Sequence, residues 1–178
     1  PAVAYFTSRG IGVLDVNYGG SSGYGRAYRQ RLAGQWGVVD VQDVVAAAEG
    51  LVSAGLADGD RLAIKGGSAG GWTVLSALTT STPFSAGISR YGVADLRALA
   101  EDTHDFESHY LDGLVGPLPE AEAVYEERSP LGRIDSLSVP VLLLQGADDP
   151  LESELSFLGQ VFGFATPGVP ALPLESAP

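Results

Sequence analysis

Apolar residues along this chain occur in short runs and in three- to four-residue periods, separated by polar and glycine-rich stretches. Short runs rich in β-branched residues are typical of buried strands, and the longer period is typical of helices that bury one face. The runs predict strands at Ile11–Tyr18, Arg61–Gly66, Ala86–Tyr91 and Val139–Gln145, and the periods predict helices at Val38–Ala54, Ala69–Leu78 and Leu151–Phe162. Because strands alternate with helices, we expect an α/β fold with a mostly parallel sheet covered by helices on both faces.

Two stretches depart from this alternation. Residues 93–137 are more polar and predict short helices and loops over one edge of the sheet. The segment Ala165–Pro178 contains four prolines without periodicity, so we expect an extended and poorly ordered tail. The chain of 178 residues is 45% hydrophobic, which suits one folded unit. We therefore predict a folded domain at 1–164 and a tail at 165–178.

Composition narrows the partners that the chain can have. Its 22 acidic and 10 basic residues give a net charge of −12, which repels phosphate backbones and argues against nucleic-acid binding. The absence of cysteine excludes disulfides and thiolate chemistry. No apolar run has the length of a membrane span, and no signal-like segment opens the chain, so we expect a cytoplasmic protein without a membrane partner.

The strongest chemical signal is the pentapeptide Gly66-Gly67-Ser68-Ala69-Gly70. It has the G-x-S-x-G pattern and lies between a predicted strand and a predicted helix, which is the context of a nucleophile elbow. Such a turn is tight, so side chains at Gly66 and Gly70 would crowd it. Ser68 is the predicted nucleophile, and the backbone N–H of Ala69 at the helix N-terminus is the predicted oxyanion donor. The alternative is a simple turn in a chain that contains 24 glycines.

A nucleophilic serine in this context needs an acid and then a histidine, in that chain order. Asp148 and Asp149 directly follow the strand predicted at Val139–Gln145, where the acid is expected. The alternative for this pair is a solvated loop end. The chain has only two histidines, His104 and His109, and both precede the aspartates. Position therefore favours ordinary surface roles for both, with a rearranged triad as the alternative.

Several segments resemble the prolyl oligopeptidase family of serine peptidases, in its acylaminoacyl-peptidase and dipeptidyl-peptidase branch. They include YFTSRGIGVLDVNYGGSSGYGR (5–26), QWGVVDVQDVVAA (35–47), LAIKGGSAGGWTVL (62–75), ERSPLGRIDSL (127–137) and VPVLLLQGADD (139–149). The resemblance implies an α/β-hydrolase fold, acyl transfer through Ser68, Asp148 as the catalytic acid, and peptide substrates. It implies no metal and no organic cofactor.

The chain also departs from the family pattern. The family carries an HGGP-type oxyanion segment before the first strand and a β-propeller, and neither occurs in this sequence. After Asp149-Pro150 the sequence runs directly into LESELSF, without the segment that bears the family's catalytic histidine. We therefore expect an impaired peptidase domain. The alternatives are a catalytically inactive remnant that acts by binding or association, and a small carboxylesterase of the same fold; homo-oligomerisation stays open.

Overall fold

Three parallel strands form the central sheet in the computed structural model, which describes residues 2–80, 82–102, 109–146, 150–173 and 175. The strands are β1 (Ala63–Gly67), β2 (Ala86–Arg90) and β3 (Val141–Leu144). They lie in the order β1-β2-β3, with Gly67 opposite Arg90 and Arg90 opposite Leu144. All three strands therefore end at the same edge of the sheet, which is where α/β proteins place their functional sites.

Helices lie between and around these strands, as the alternating pattern predicts. They are α1 (Ala2–Thr7), α2 (Arg26–Gln30), α3 (Val39–Ser53), α4 (Ala69–Leu78), α5 (Leu96–Asp102), α6 (Tyr110–Leu114), α7 (Glu122–Arg128) and α8 (Pro150–Phe162). Short 3₁₀ turns occupy Gly59–Arg61 and Pro130–Ser136. The predicted α/β class is confirmed, and the region 93–137 consists of short helices and loops as expected.

The core has a layer on each face of the sheet. On one face Ile64 of β1 packs with Ala48 of α3 and with Val74 and Leu78 of α4. On the other face Ile88 of β2 packs with residues of α1 and α8, namely Phe6, Phe157 and Leu158. Because successive strand residues point to opposite faces, these two layers account for the nearly continuous apolar composition of the strands.

The predicted strand Ile11–Tyr18 is wrong, because these residues form no strand or helix in the structure. β1 pairs only with β2, so no strand in the described part of the chain offers this segment a hydrogen-bonding partner. Two of its apolar side chains are exposed, Val13 at 45% and Leu14 at 48%, whereas Ile11 is partly buried against the cluster that contains Phe6. Strand composition alone does not make a strand when no partner supplies the ladder.

The C-terminal tail contacts α8 in the part that the structure describes. Ser156 of α8 donates a hydrogen bond from its hydroxyl to Pro170 O at 2.8 Å and accepts one from Leu172 N at 3.2 Å, so part of the tail lies against α8. The disorder expected for residues 165–178 as a whole stays a prediction.

Within the described residues, no helix is both long enough and apolar enough to span a membrane.

Candidate active site

Ser68 lies on a tight turn between β1 and α4. Its backbone has φ 53° and ψ −119°, a conformation that non-glycine residues rarely adopt. Ser68 N donates to Arg90 O at 2.9 Å, and Ser68 O accepts from Trp72 N at 3.1 Å, so the turn is fixed to both β2 and α4. Ser68 is exposed. Ala69 is the first residue of α4, so its N–H has no carbonyl acceptor in a preceding helical turn. This N–H can therefore donate a hydrogen bond to a negatively charged oxygen.

The glycines around Ser68 do not all serve the same purpose. A Cβ on Gly66 would lie 2.5 Å from the carbonyl carbon of Gly70, and one on Gly71 would lie 2.7 Å from Gly92 Cα. A Cβ on Gly70 would meet no described atom within 4 Å. The steric requirement therefore falls on Gly66 and Gly71, and the crowding expected at Gly70 is not found, because Gly70 contributes its backbone rather than its Cα substituent to the contact.

Tyr91 borders the turn, and no sequence motif indicates it as a site residue. It directly follows β2 with φ 37°, donates its N–H to Leu144 O at 2.7 Å, and is 57% exposed. A Cβ on Gly67 would lie 3.2 Å from the Tyr91 hydroxyl oxygen, so the phenol ring covers the residue before Ser68. A left-handed backbone at a bulky residue carries no sequence signal, because only the surrounding contacts impose it.

A buried carboxylate contacts the N-terminal half of α4. Asp40, in the first turn of α3, is completely buried. Its Oδ1 accepts from Gly37 N at 2.6 Å, and its Oδ2 accepts from Thr73 Oγ1 at 2.7 Å. Burial raises the pKa of the Asp40 carboxyl, although the hydrogen bonds from Thr73 and Gly37 oppose the rise. The same burial effect, followed by the charge of Asp40, raises the pKa of Tyr18.

The raised pKa of Asp40 gives a pH dependence of folding stability with a definite sign. A raised pKa means that the folded state binds the proton more tightly than the unfolded state does. The carboxyl group of an unfolded chain titrates at about 3.9. The contribution of Asp40 to the free energy of unfolding is therefore complete below the unfolded-state pKa, and it is lost as the pH rises through the raised pKa of the folded state.

We expect the free energy of unfolding of wild type minus that of Asp40→Asn to decrease as pH rises from about 4 towards neutrality. Urea denaturation of both proteins at matched pH values measures this difference, and the other carboxyl groups cancel in it. A difference that is constant or increases with pH contradicts the expected sign.

A second buried carboxylate joins the sheet to α8. Glu154 of α8 is completely buried, and its Oε2 lies 2.6 Å from Lys65 Nζ of β1. Its Oε1 pairs with Arg90 Nε of β2. Lys65 also lies with its Nζ 4.9 Å from the centre of the Phe6 ring. These charges fasten α8 to the two strands that hold the Ser68 turn.

The other predicted site residues are only partly covered by the structure. Asp148, its neighbour Asp149 and His104 lie outside the described residues. His109 precedes α6, and its side chain is 89% exposed, with Nδ1 2.8 Å from Asp112 Oδ2. Among the residues that the structure describes, no group of three or more His, Asp or Glu side chains is arranged to hold a metal ion. The described geometry thus places a serine on a strained turn beside a helix N-terminus.

A protein family and several known proteins are similar to this chain in sequence. The family model described as "Prolyl oligopeptidase family" matches residues 2–151. The chain is 33% identical over 157 residues to dipeptidyl peptidase family member 6 of Caenorhabditis elegans, covering 84% of this chain and 21% of the relative. It is also 33% identical over 152 residues to dipeptidyl aminopeptidase BIII of Pseudoxanthomonas mexicana, covering 82% of this chain and 22% of the relative.

Solved structures agree with the sequence matches. A puromycin-hydrolyzing peptidase of Mycobacterium tuberculosis superposes with a TM-score of 0.91 at 50% identity, over 96% of this chain and 32% of that one. A puromycin hydrolase superposes with a TM-score of 0.91 at 44% identity, over 98% of this chain and 33% of that one. The chain thus spans about a fifth of the curated relatives and about a third of these solved chains.

Proposed function

Because the chain belongs to the prolyl oligopeptidase family, we propose that it is a serine-peptidase domain whose chemistry is acyl transfer through Ser68. The observation that carries this proposal is the backbone of Ser68, which is held at φ 53° between β1 and α4 with the residue exposed. A strained, non-glycine turn persists only where surrounding contacts enforce it, and such turns cluster at functional sites.

Each step of the proposed reaction assigns a role to one group. The Ser68 Oγ attacks the carbonyl carbon of a peptide or ester, and its proton passes to a base. The Ala69 N–H stabilises the oxyanion of the tetrahedral intermediate, and the leaving amine or alcohol takes up the proton. Water then hydrolyses the acyl-enzyme. Asp148 is the proposed acid that orients the base.

No residue of this chain is assigned as the general base that accepts the Ser68 proton. No histidine follows Asp148 in the sequence, and His109 is exposed and pairs with Asp112. Without a base, Ser68 is an ordinary alcohol, and removal of the base from a comparable triad lowers turnover roughly 10⁶-fold. We therefore propose that this 178-residue chain is by itself a strongly impaired peptidase.

We expect purified chain to hydrolyse aminoacyl anilides, puromycin and simple esters no faster than its Ser68→Ala variant. The reason is the missing general base, which must come within about 3 Å of the serine oxygen. A cooperative thermal transition in the same samples shows that both proteins are folded. A folded wild type whose hydrolysis disappears in Ser68→Ala would show that a base is present, and loss of that activity in His104→Ala or His109→Ala would identify it.

A catalytically inactive domain that acts by binding is the second candidate function. The exposed Ser68 turn, together with the lack of a histidine after Asp148, favours this function. A domain that keeps the turn but lacks a base can still bind a peptide without cleaving it. Isothermal titration calorimetry measures the binding of short peptides, and binding without turnover distinguishes this function from residual hydrolysis. The wider activity and partners of the longer relatives, whose chains extend well beyond this segment, are not assigned to it.

A further inference from the structure

Asp40 is an ionisable group that the reaction proposed above does not use. It is 0% exposed, and no cationic side chain pairs with it among the described residues. Its donors are neutral: the Gly37 N–H, the Thr73 hydroxyl, and the backbone N–H groups of Asp40 and Val41. A carboxylate buried among neutral donors retains its charge at a cost, so protonation competes with ionisation at this position.

Thr73 connects this carboxyl group to the turn that carries Ser68. Its Oγ1 lies 2.7 Å from Asp40 Oδ2 and 3.2 Å from Ala69 O. A hydroxyl group has a single proton and can donate fully to only one of these acceptors. Ala69 is the first residue of α4 and directly follows Ser68, so the second acceptor belongs to the turn itself.

We propose that Asp40 is a positioning residue whose protonation state sets the first turn of α4 through the hydroxyl of Thr73. When Asp40 is ionised, the Thr73 hydroxyl donates its proton to Asp40 Oδ2. When Asp40 takes up a proton from solvent, the carboxylic O–H donates to Thr73 Oγ1, and the Thr73 proton turns to Ala69 O. The functional meaning of this coupling rests on the role proposed for Ser68; the coupling itself does not.

The surroundings of Asp40 contain few competing charges. Tyr18, from the irregular segment before α2, faces Asp40 and is itself faced by Tyr110. Asp43, one turn further along α3, accepts from Gly19 N at 2.7 Å and lies 3.7 Å from Arg31 Nη2. On α4, Thr73 is the only polar side chain bonded to Asp40 among the described residues. The coupled response is therefore expected to follow Asp40 alone.

Carbon-detected nuclear magnetic resonance of the isotope-labelled chain tests the proposal without substrate. The Asp40 Cγ and Ala69 carbonyl resonances are followed as the pH is raised from about 4 to about 8, because burial raises the pKa of the Asp40 carboxyl above its ordinary value. In the wild type we expect both resonances to shift with one common midpoint. In Thr73→Val the Asp40 Cγ shift is expected to remain while the Ala69 shift is lost, and Thr73→Ser, which keeps the hydroxyl, is expected to retain both.

Asp40→Asn provides a second, independent control, in which the Ala69 carbonyl shift is expected to disappear. The proposal is overturned if Asp40 does not titrate in this range, if Ala69 stays constant while Asp40 titrates, or if Ala69 titrates equally in Asp40→Asn or Thr73→Val. Should Thr73→Val not fold, wild type and Asp40→Asn decide the question by themselves. Because no substrate is involved, failure of the Ser68 chemistry leaves this result intact, and the reverse also holds.

Discussion

Glu154→Gln is expected to lower the free energy of unfolding by about 3 kcal/mol or more. The substitution removes the completely buried carboxylate that pairs with Lys65 Nζ at 2.6 Å and with Arg90 Nε. Both cations would then remain partly buried without their counter-charge, and removal of one partner from a buried ion pair is costly for that reason. Urea denaturation followed by circular dichroism measures the loss.

Glu122→Gln is the matched control for this experiment. Glu122 of α7 also pairs with an arginine, Arg97, but both side chains are about half exposed, at 45% and 54%. Water and salt screen such a pair, so we expect no measurable change in the denaturation midpoint. Equal effects of the two substitutions would show that the buried Lys65–Glu154–Arg90 cluster does not hold α8 to the sheet.

Gly66→Ala is expected to disrupt the Ser68 turn and to destabilise the chain by about 1–3 kcal/mol. The added Cβ would lie 2.5 Å from the carbonyl carbon of Gly70 and 3.0 Å from its Cα. These are backbone atoms, so relief requires movement of the first turn of α4 rather than rotation of a side chain. The thermal transition and the amide resonances of Ser68 and Ala69 report the two effects.

Gly70→Ala is the control, because it lies in the same pentapeptide and its Cβ would meet no described atom within 4 Å. Gly70 is the second residue of α4, and alanine is favoured over glycine in helices by roughly 0.5–1 kcal/mol, so we expect unchanged or increased stability. If Gly70→Ala is as damaging as Gly66→Ala, the close approach at Gly66 is not what shapes the turn.

The sequence predicts those elements whose own residues determine their structure. The predicted helix Ala69–Leu78 agrees with α4 residue for residue, because an apolar segment directly follows the glycine-rich turn at Ser68. The helix predicted at Leu151–Phe162 begins one residue earlier, at Pro150, where proline suits the first helical turn. Ile11–Tyr18 has the composition of a strand, but its structure depends on a neighbouring strand that the described chain does not supply.

The features that sequence reasoning missed depend on contacts between distant segments. Glu154 lies on the apolar face of α8, next to Leu155 and three residues after Leu151, and an acidic residue at such a position indicates a cationic partner on the neighbouring element. Lys65 within an otherwise apolar strand is the matching signal. Asp40 could be suspected from its place in the first turn of α3, but its contact with Thr73, 33 residues away, comes only from the fold.

The central proposal is that Ser68 is a nucleophile that lacks a general base in this chain, and chemical rescue by imidazole tests it most directly. An alkyl fluorophosphonate is incubated with the folded chain, and labelled peptides are quantified by mass spectrometry. In the labelling step the Ser68 Oγ–phosphorus bond forms, the phosphorus–fluorine bond breaks, fluoride leaves, and the serine proton passes to imidazole or, without imidazole, to the buffer. Ser53, which is exposed at the end of α3, serves as the internal reference.

We predict that Ser68 is labelled slowly in buffer alone and faster as imidazole is added, because imidazole would supply the general base that the proposal holds to be missing. Labelling of Ser53 should not respond in this way, and Ser68→Ala should show no imidazole-dependent product. Labelling of Ser68 that is already rapid without imidazole would contradict the absence of a base, and labelling that never exceeds that of Ser53 would contradict its role as the nucleophile.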